Sequence, residues 1–450
     1  MRRLLSIALL GASFSGCVFG DPDAAETKGD ERTENASAQP ETGPTGAAGG
    51  GAQGSFPPSA SDGISNGGES DVDCGGRDAP PCADGKRCAD GSDCASAVCA
   101  SAICQPPAND DAVKNGDESD VDCGGTSTGA ERCAPGRTCR AHADCASDGC
   151  GYDGKCAIAR SCTARFGGDT CGAGEAGEAD AKHESCCTSA PIPGMPNGPK
   201  LDKYVVTAGR FRQFVERTNG NLRGFAEGLG ATHPVWKQAW TTQLPRTVAE
   251  TNFLLGPTGN GTARRGCDLG ASRARTYWMS DAENKALGET GTHPFSKDIL
   301  DQKALNCVDW YMVQAFCIWD GGRMAKHEEY VAAWQGGEGR DYPWGNAFDN
   351  ARLNWKYSYS FPYVYDKGNF VFVGAPGRRP TGQGKGGHAD LAGLGMEWLY
   401  DVNPSNAQQA RFSGSGSWEG HPILKDGAAQ ASYTPMNRAY WAIVGRCARP

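Results

Sequence analysis

Twenty-one cysteines in 450 residues constrain this chain more than any other feature. Twelve of them belong to one pattern used twice. Asn66-Gly-Gly-Glu-Ser-Asp-Val-Asp-Cys74-Gly-Gly returns 49 residues later as Asn115-Gly-Asp-Glu-Ser-Asp-Val-Asp-Cys123-Gly-Gly. The first copy continues with Cys82, Cys88, Cys94, Cys99 and Cys104, and the second with Cys133, Cys139, Cys145, Cys150 and Cys156. Six cysteines in under 50 residues, with almost no aliphatic side chains between them, mean that covalent loops rather than burial hold each unit. The sequence leaves the pairing open, since six cysteines allow fifteen connectivities. Paired Cys-x-x-Cys knuckles are missing, which argues against zinc. Glu69, Asp71 and Asp73, mirrored by Glu118, Asp120 and Asp122, form either a set of oxygen ligands for calcium or a solvated acidic turn, and the turn is the favoured reading.

So many cysteines suit an oxidising compartment outside the cytosol. The N-terminus agrees. Arg2 and Arg3 precede an apolar run, Leu4 to Ala12, which is too short to span a bilayer. Phe14-Ser-Gly-Cys17 then resembles the bacterial lipoprotein signal, which implies a lipidated Cys17 as the mature N-terminus and leaves an even 20 cysteines for pairing. Residues 18–63 hold few large apolar side chains and read as a disordered linker. Two small disulfide-rich repeats follow, at 64–106 and 113–157 within 64–157. They resemble cysteine-rich stalk or adhesion modules of exported proteins from multicellular soil bacteria. Net charge is −9, from 44 basic and 53 acidic residues, which counts against a nucleic-acid partner.

From residue 160 to 450 the texture changes. All eleven tryptophans lie after residue 235, enough aromatic bulk for a core. Phe211, Phe214 and Val215 recur at one-face helical spacing behind Thr207 as a candidate N-cap. Val308, Tyr311, Met312, Ala315, Phe316 and Trp319 repeat the periodicity. Gly-, Asn- and aromatic-rich stretches such as Tyr342-Pro-Trp-Gly-Asn346 separate these segments, and the whole reads as α+β with short strands.

Several motifs in this region resemble the formylglycine-generating enzyme (sulfatase-modifying factor) family. They are Asn306-Cys-Val-Asp-Trp-Tyr-Met-Val-Gln-Ala-Phe-Cys317-Ile-Trp-Asp-Gly-Gly-Arg-Met324, Pro343-Trp-Gly-Asn346, Asp390-Leu-Ala-Gly-Leu-Gly-Met-Glu-Trp398 and Gly445-Arg-Cys-Ala-Arg449, with Thr207 to Val215 as the opening helix. The resemblance implies the family's C-type-lectin-like α+β fold, with low regular secondary structure. It implies a Cys317–Cys447 disulfide. Cys186 and Cys187 are expected to bond to different partners among Cys162 and Cys171, and Cys267 to pair with Cys307.

Active members of the family hold Cu(I) between two thiolates shortly after an Arg-Gly-Gly-Ser-Trp segment, soft ligands for a soft ion. Here Gly414-Ser-Gly-Ser-Trp418 occupies that place, and the two thiol positions fall on Gly420 and Lys425. Copper chemistry is therefore not expected. Ser417, Trp418 and His421 remain as a possible groove. The resemblance further implies calcium at Asp390, Gly393, Gly395 and Glu397, two carboxylates with two carbonyls, and at a second site using Asn354, Trp355 and Asp366. His327-Glu-Glu329 lacks the second histidine of a zincin and reads as a helix turn. His388 reads as a hydrogen-bonded loop residue.

The expectation is a lipid-anchored protein of the outer membrane or cell surface, whose C-terminal domain is a catalytically inactive, calcium-stabilised module binding an extracellular protein or glycan. The rival is an oxidoreductase of the same family working through a non-standard site at Ser417, His421 or His388.

Overall fold

The computed structural model describes residues 59–450 apart from 128, 257–266, 269–274, 280–281, 283–295, 357–372, 418–419, 422, 424 and 426–431. Cys17, the leader, most of the linker, Asp366 and Trp418 lie outside the described residues.

Each repeat is built around its sulfurs. The pairings are Cys74–Cys82, Cys88–Cys99 and Cys94–Cys104 in the first copy. In the second they are Cys123–Cys133, Cys139–Cys150 and Cys145–Cys156, the same order: first to second, third to fifth, fourth to sixth. The acidic residues serve the backbone. Asp71 accepts from the Arg87 and Val72 N–H groups at 2.8 and 2.7 Å, and Asp120 from Thr138 and Val121 at 2.6 and 2.8 Å. Asp73 accepts from Gly63 N–H at 2.9 Å, as Asp122 does from Ala112. Asp93 gathers the Ser70 hydroxyl with the Ala89 and Gly76 N–H groups, and these donors hold its carboxyl well below the usual range. Asp144 repeats the arrangement with Ser119, Arg140 and Gly125.

Residues 159–191 join the second repeat to the large domain and are stapled by Cys162–Cys187 and Cys171–Cys186, so the adjacent pair Cys186 and Cys187 does part to different partners. Behind this extension lies a largely buried ionic network. Arg210 Nη2 donates to Asp202 at 3.1 Å and to Asp320 at 2.9 Å, Arg449 donates to the same two carboxylates, and Ser161 N–H closes onto Asp320 at 2.8 Å. Two buried anions facing two cations satisfy one another where either alone would be costly.

In the domain, helix α1 is Ala208–Arg217, α2 is Trp310–Trp319 and α3 is His327–Gln335. Thr207 caps α1 by accepting from Arg210 N–H, as its place before the periodic segment suggests. Asp309 caps α2 through Met312 N–H at 2.8 Å. Phe211 and Phe214 of α1 pack edge-on and tilted against Phe316 and Trp319 of α2, with centroids 5.2–6.1 Å apart.

Two four-stranded sheets complete the fold. Strands β1 (Ser189–Pro191), β2 (Lys200–Asp202), β3 (Arg323–Met324) and β8 (Cys447–Arg449) form one sheet in the order β1-β2-β8-β3, all antiparallel. Strands β4 (Met396–Asn403), β5 (Asn406–Phe412), β6 (Ser432–Pro435) and β7 (Ile443–Gly445) form the other in the order β6-β5-β4-β7, with β4 and β7 parallel. The architecture is α+β. Cys317–Cys447 ties α2 to β8. Two indoles cross-link α2 to β4, since Trp310 Nε1 donates to Leu399 O at 2.8 Å and Trp398 Nε1 to Val308 O at 3.0 Å.

Candidate functional site

After β5 the chain reads Ser413-Gly-Ser-Gly-Ser417. Extended backbone sends alternate side chains to one side, so all three serines point inward and all are fully buried. Ser413 Oγ accepts from Glu397 N–H at 2.8 Å and lies 2.7 Å from Ser415 Oγ, which donates to Gly395 O at 3.2 Å. Ser417 Oγ lies 2.6 Å from His421 Nδ1. A tight turn joins the pair, with Gly420 N–H donating to Ser417 O at 2.9 Å. The two residues expected at the groove therefore meet, with the Ser417 side chain fully buried. His388 does not join them. It is buried beside Ala190 O at 3.3 Å, and burial pushes its pKa down to about 4.

Neither position where the family's thiols would fall carries a sulfur. Gly420 sits at φ +101°, a conformation L side chains rarely adopt, and a Cβ there would lie 3.1 Å from Lys356 Cγ. Lys425 is exposed and its ammonium lies 3.1 Å from Asp341. All twenty cysteines of the described residues are in disulfides, including Cys267–Cys307. The Cys88-Cys94-Cys104 and Cys139-Cys145-Cys156 groups bring sulfurs together, but as disulfides rather than as metal-ligating thiolates.

The residues assigned to calcium divide. Glu397 is fully buried and faces Arg446, whose Nε and Nη2 donate to its oxygens at 3.0 and 2.9 Å. Arg446 also donates to the Asp202, Lys203 and Ala389 carbonyls. Burial raises the Glu397 carboxyl and the guanidinium opposes that rise. A buried guanidinium therefore faces Glu397, the carboxylate the resemblance assigns to calcium. Asp390 accepts from Gly377 N–H at 2.6 Å, and burial pushes its carboxyl up to about 6. Gly395 O is engaged by Ser415, and Gly393 lies against the Asn354 backbone. Asn354 differs from these. It is buried, and its Oδ1 has no hydrogen-bond partner.

Reasoning from sequence missed Arg446, although a charged residue inside an apolar closing strand is the signal that could have revealed it. It also missed the rim of the site. Trp355 Nε1 donates to His421 O at 2.9 Å, and the Lys356 ammonium lies over the Trp355 ring at 4.2 Å. From Trp355 the rings continue to Phe348, Tyr342 and Trp344. On the other side His421 meets Tyr440 edge-on at 6.2 Å, and Arg438 stacks on Tyr440. Elsewhere, Asp309 lines a cavity of about 340 Å³ together with Arg223, Glu250, Phe253 and Asn437.

Residues 194–449 match the sulfatase-modifying factor enzyme 1-like domain, more than half of the chain. The chain belongs to that family. Curated relatives include "Inactive C-alpha-formylglycine-generating enzyme 2" from Bos taurus and from Mus musculus, each 34% identical over 116 residues. Those matches take in 25% of this chain and 37% or 36% of the relatives, so the chain spans little more than a third of their length. Among solved structures, PvdO from Pseudomonas aeruginosa covers 58% of this chain and 90% of its own at 15% identity and a TM-score of 0.32. CarF covers 56% and 85% at 12% identity and a TM-score of 0.31.

Proposed function

We propose that the sulfatase-modifying-factor domain is a catalytically inactive binding module on an exported, lipid-anchored surface protein. The observation that carries this reading is the thiol inventory. Cu(I) needs two thiolates, whereas Gly420 and Lys425 offer none and every described cysteine is oxidised in a disulfide. The names of the Bos taurus and Mus musculus relatives support it. The test mixes the purified chain with Cu(I), oxygen, a reductant and a Cys-x-Pro-x-Arg peptide. Unchanged peptide mass is expected, and aldehyde product above a metal-free control overturns the reading.

The anchoring part rests on Phe14-Ser-Gly-Cys17 after a short apolar run. Cys17→Ser is expected to move the protein out of the membrane fraction, and retention after a salt wash places the anchor elsewhere. The reading keeps calcium as a structural ion at Asn354, Trp355 and Asp366, supported by the unpartnered Asn354 oxygen. Calcium is expected to raise the melting temperature over chelator in the parent but not in Asn354→Ala. Identical parent curves in calcium and chelator remove the ion from the account.

A further inference from the structure

We propose that each cysteine-rich repeat holds one calcium ion on the turn that opens it, at Asn66 and Glu69 in the first copy and at Asn115 and Glu118 in the second. The proposal concerns the repeats alone and does not depend on the reading of the domain or on its Asn354 site.

The aspartates of these turns are taken up by backbone donors, whereas the asparagine and glutamate keep oxygens in reserve. Asn66 Oδ1 and Asn115 Oδ1 are both buried without a hydrogen-bond partner, and so is Glu118 Oε1. Glu118 is only 4% exposed. The asparagines gain nothing by turning over, because each amide nitrogen already has its acceptor. Asp62 serves Asn66 at 3.0 Å, and Asp111 and Ser96 O serve Asn115 at 2.8 Å. Asparagine and glutamate share one turn. The Asn carbonyl accepts from the Glu N–H three residues on, at 3.0 and 3.2 Å, and the Glu carboxylate accepts in return from the Asn N–H at 3.2 Å in both copies. In the first copy Asn66, Gly68 and Glu69 line a cavity of about 300 Å³, which has room for an ion and its waters. The turn is also set in advance. A Cβ at Gly76 would lie 2.1 Å from Gly68 O, and one at Gly125 2.2 Å from Asp117 O, so in both copies the chain beyond the cysteine closes directly against it.

The donor set selects the ion. A carboxylate and an amide oxygen accept but donate nothing, and a water between them would leave the carboxylate's charge unpaired. The basic side chains at these turns face other groups. Lys86 and Arg87 pair with Asp71 at 3.8 Å, and Arg137 with Asp120 at 3.4 Å. Arg140 donates to the Asp117 and Glu118 carbonyls and to the Ser119 hydroxyl. Among the described residues no cation pairs with Glu69 or Glu118. Hard oxygens with the sulfurs locked in disulfides suit calcium, whereas magnesium demands a stricter octahedron. A single carboxylate per site sets the affinity in the range of extracellular modules, about 10⁻⁴–10⁻³ M. Ala89 stands where the second copy has the Arg140 guanidinium, so the first site binds more tightly. Asn115 also donates to Ser96 of the first repeat, and an ion on its oxygen polarises that bond and stiffens the joint between repeats.

The experiment strips the full disulfide-bonded chain with chelator, adds calcium to about 10 mM, above the expected affinity range, and follows deuterium uptake of peptides 66–74 and 115–123. Saturable slowing is expected at both turns, with the first responding at lower calcium. Glu69→Gln keeps an oxygen for the Asn66 N–H but removes the charge, so it should abolish the response of the first turn and spare the second. Glu118→Gln should do the reverse. Each variant should exchange like the parent in chelator, which separates a lost ion from a lost fold. Asn354→Ala should keep both responses, so failure of the domain's calcium site leaves this result readable. Uptake that calcium does not change at either turn, or a response that survives both glutamine variants, overturns the proposal. Equal protection by magnesium at the same concentration overturns the choice of calcium.

Discussion

Asp309 shows how a single position couples capping to burial. Its Oδ1 accepts from Met312 N–H at 2.8 Å and starts α2, while burial pushes its carboxyl from 3.8 up to about 7. Because the folded chain binds this proton more tightly than the unfolded one, the contribution is fully present below about pH 4. It is lost as pH rises through about 7. Asp309→Asn keeps an acceptor for the cap and removes the ionisation. The variant should therefore gain stability over the parent at about pH 8, by at most about 4 kcal/mol, and match it near pH 4. Urea melts at the two pH values decide the matter, and equal pH slopes for parent and variant refute the assignment. Glu397 and Arg446 show another solution at the same scale, since a buried carboxylate is matched by a buried guanidinium.

At the scale of elements, α2 is the member on which the domain is assembled. Asp309 caps its start, the Trp310 indole bonds it to β4, the Trp398 indole of β4 bonds to Val308 just before it, and Cys317–Cys447 fastens its end to β8. The disulfide closes a separation of 130 residues. In the chain-entropy account that constraint contributes about 5 kcal/mol, because an open unfolded loop of this length has many more conformations. A Cys317→Ala, Cys447→Ala variant should lose a substantial part of it in chemical denaturation with the remaining disulfides intact. A loss under about 1 kcal/mol would show that the indole bonds hold α2 without the sulfur bridge.

Across the described chain the first repeat is bonded to the second, and the second to the domain. Asn115 Nδ2 donates to Ser96 O at 2.8 Å between the repeats. Arg217 of α1 donates to Asp148 O and to its carboxylate at 2.8 Å, and Tyr152 donates to Asp169 at 2.6 Å. Arg217→Glu sets two like charges against each other at this junction. The expected result is faster limited proteolysis between residues 150 and 160, with domain melting changed by no more than about 1 kcal/mol, as for a partly exposed ion pair. Unaltered proteolysis would mean that the covalent staples of residues 159–191 suffice to hold the junction.

The sequence by itself determined whatever depends on residue identity or near neighbours. Repetition at 49 residues marked the two stapled units, although it could not choose their pairing, which needs the distances between sulfurs. Thr207 announced α1, because a cap acts within one turn. Gly420 and Lys425 announced the missing thiols, because no fold can supply a sulfur that the chain lacks. The family's motifs carried Cys317–Cys447. Only the tertiary structure decided which charge meets which. Arg446 reaches Glu397 across 49 residues. Tyr342, Trp344, Phe348 and Trp355 are brought into contact beside His421 for the same reason. Contacts between distant segments are set by packing the whole chain at once, and local pattern holds no record of them.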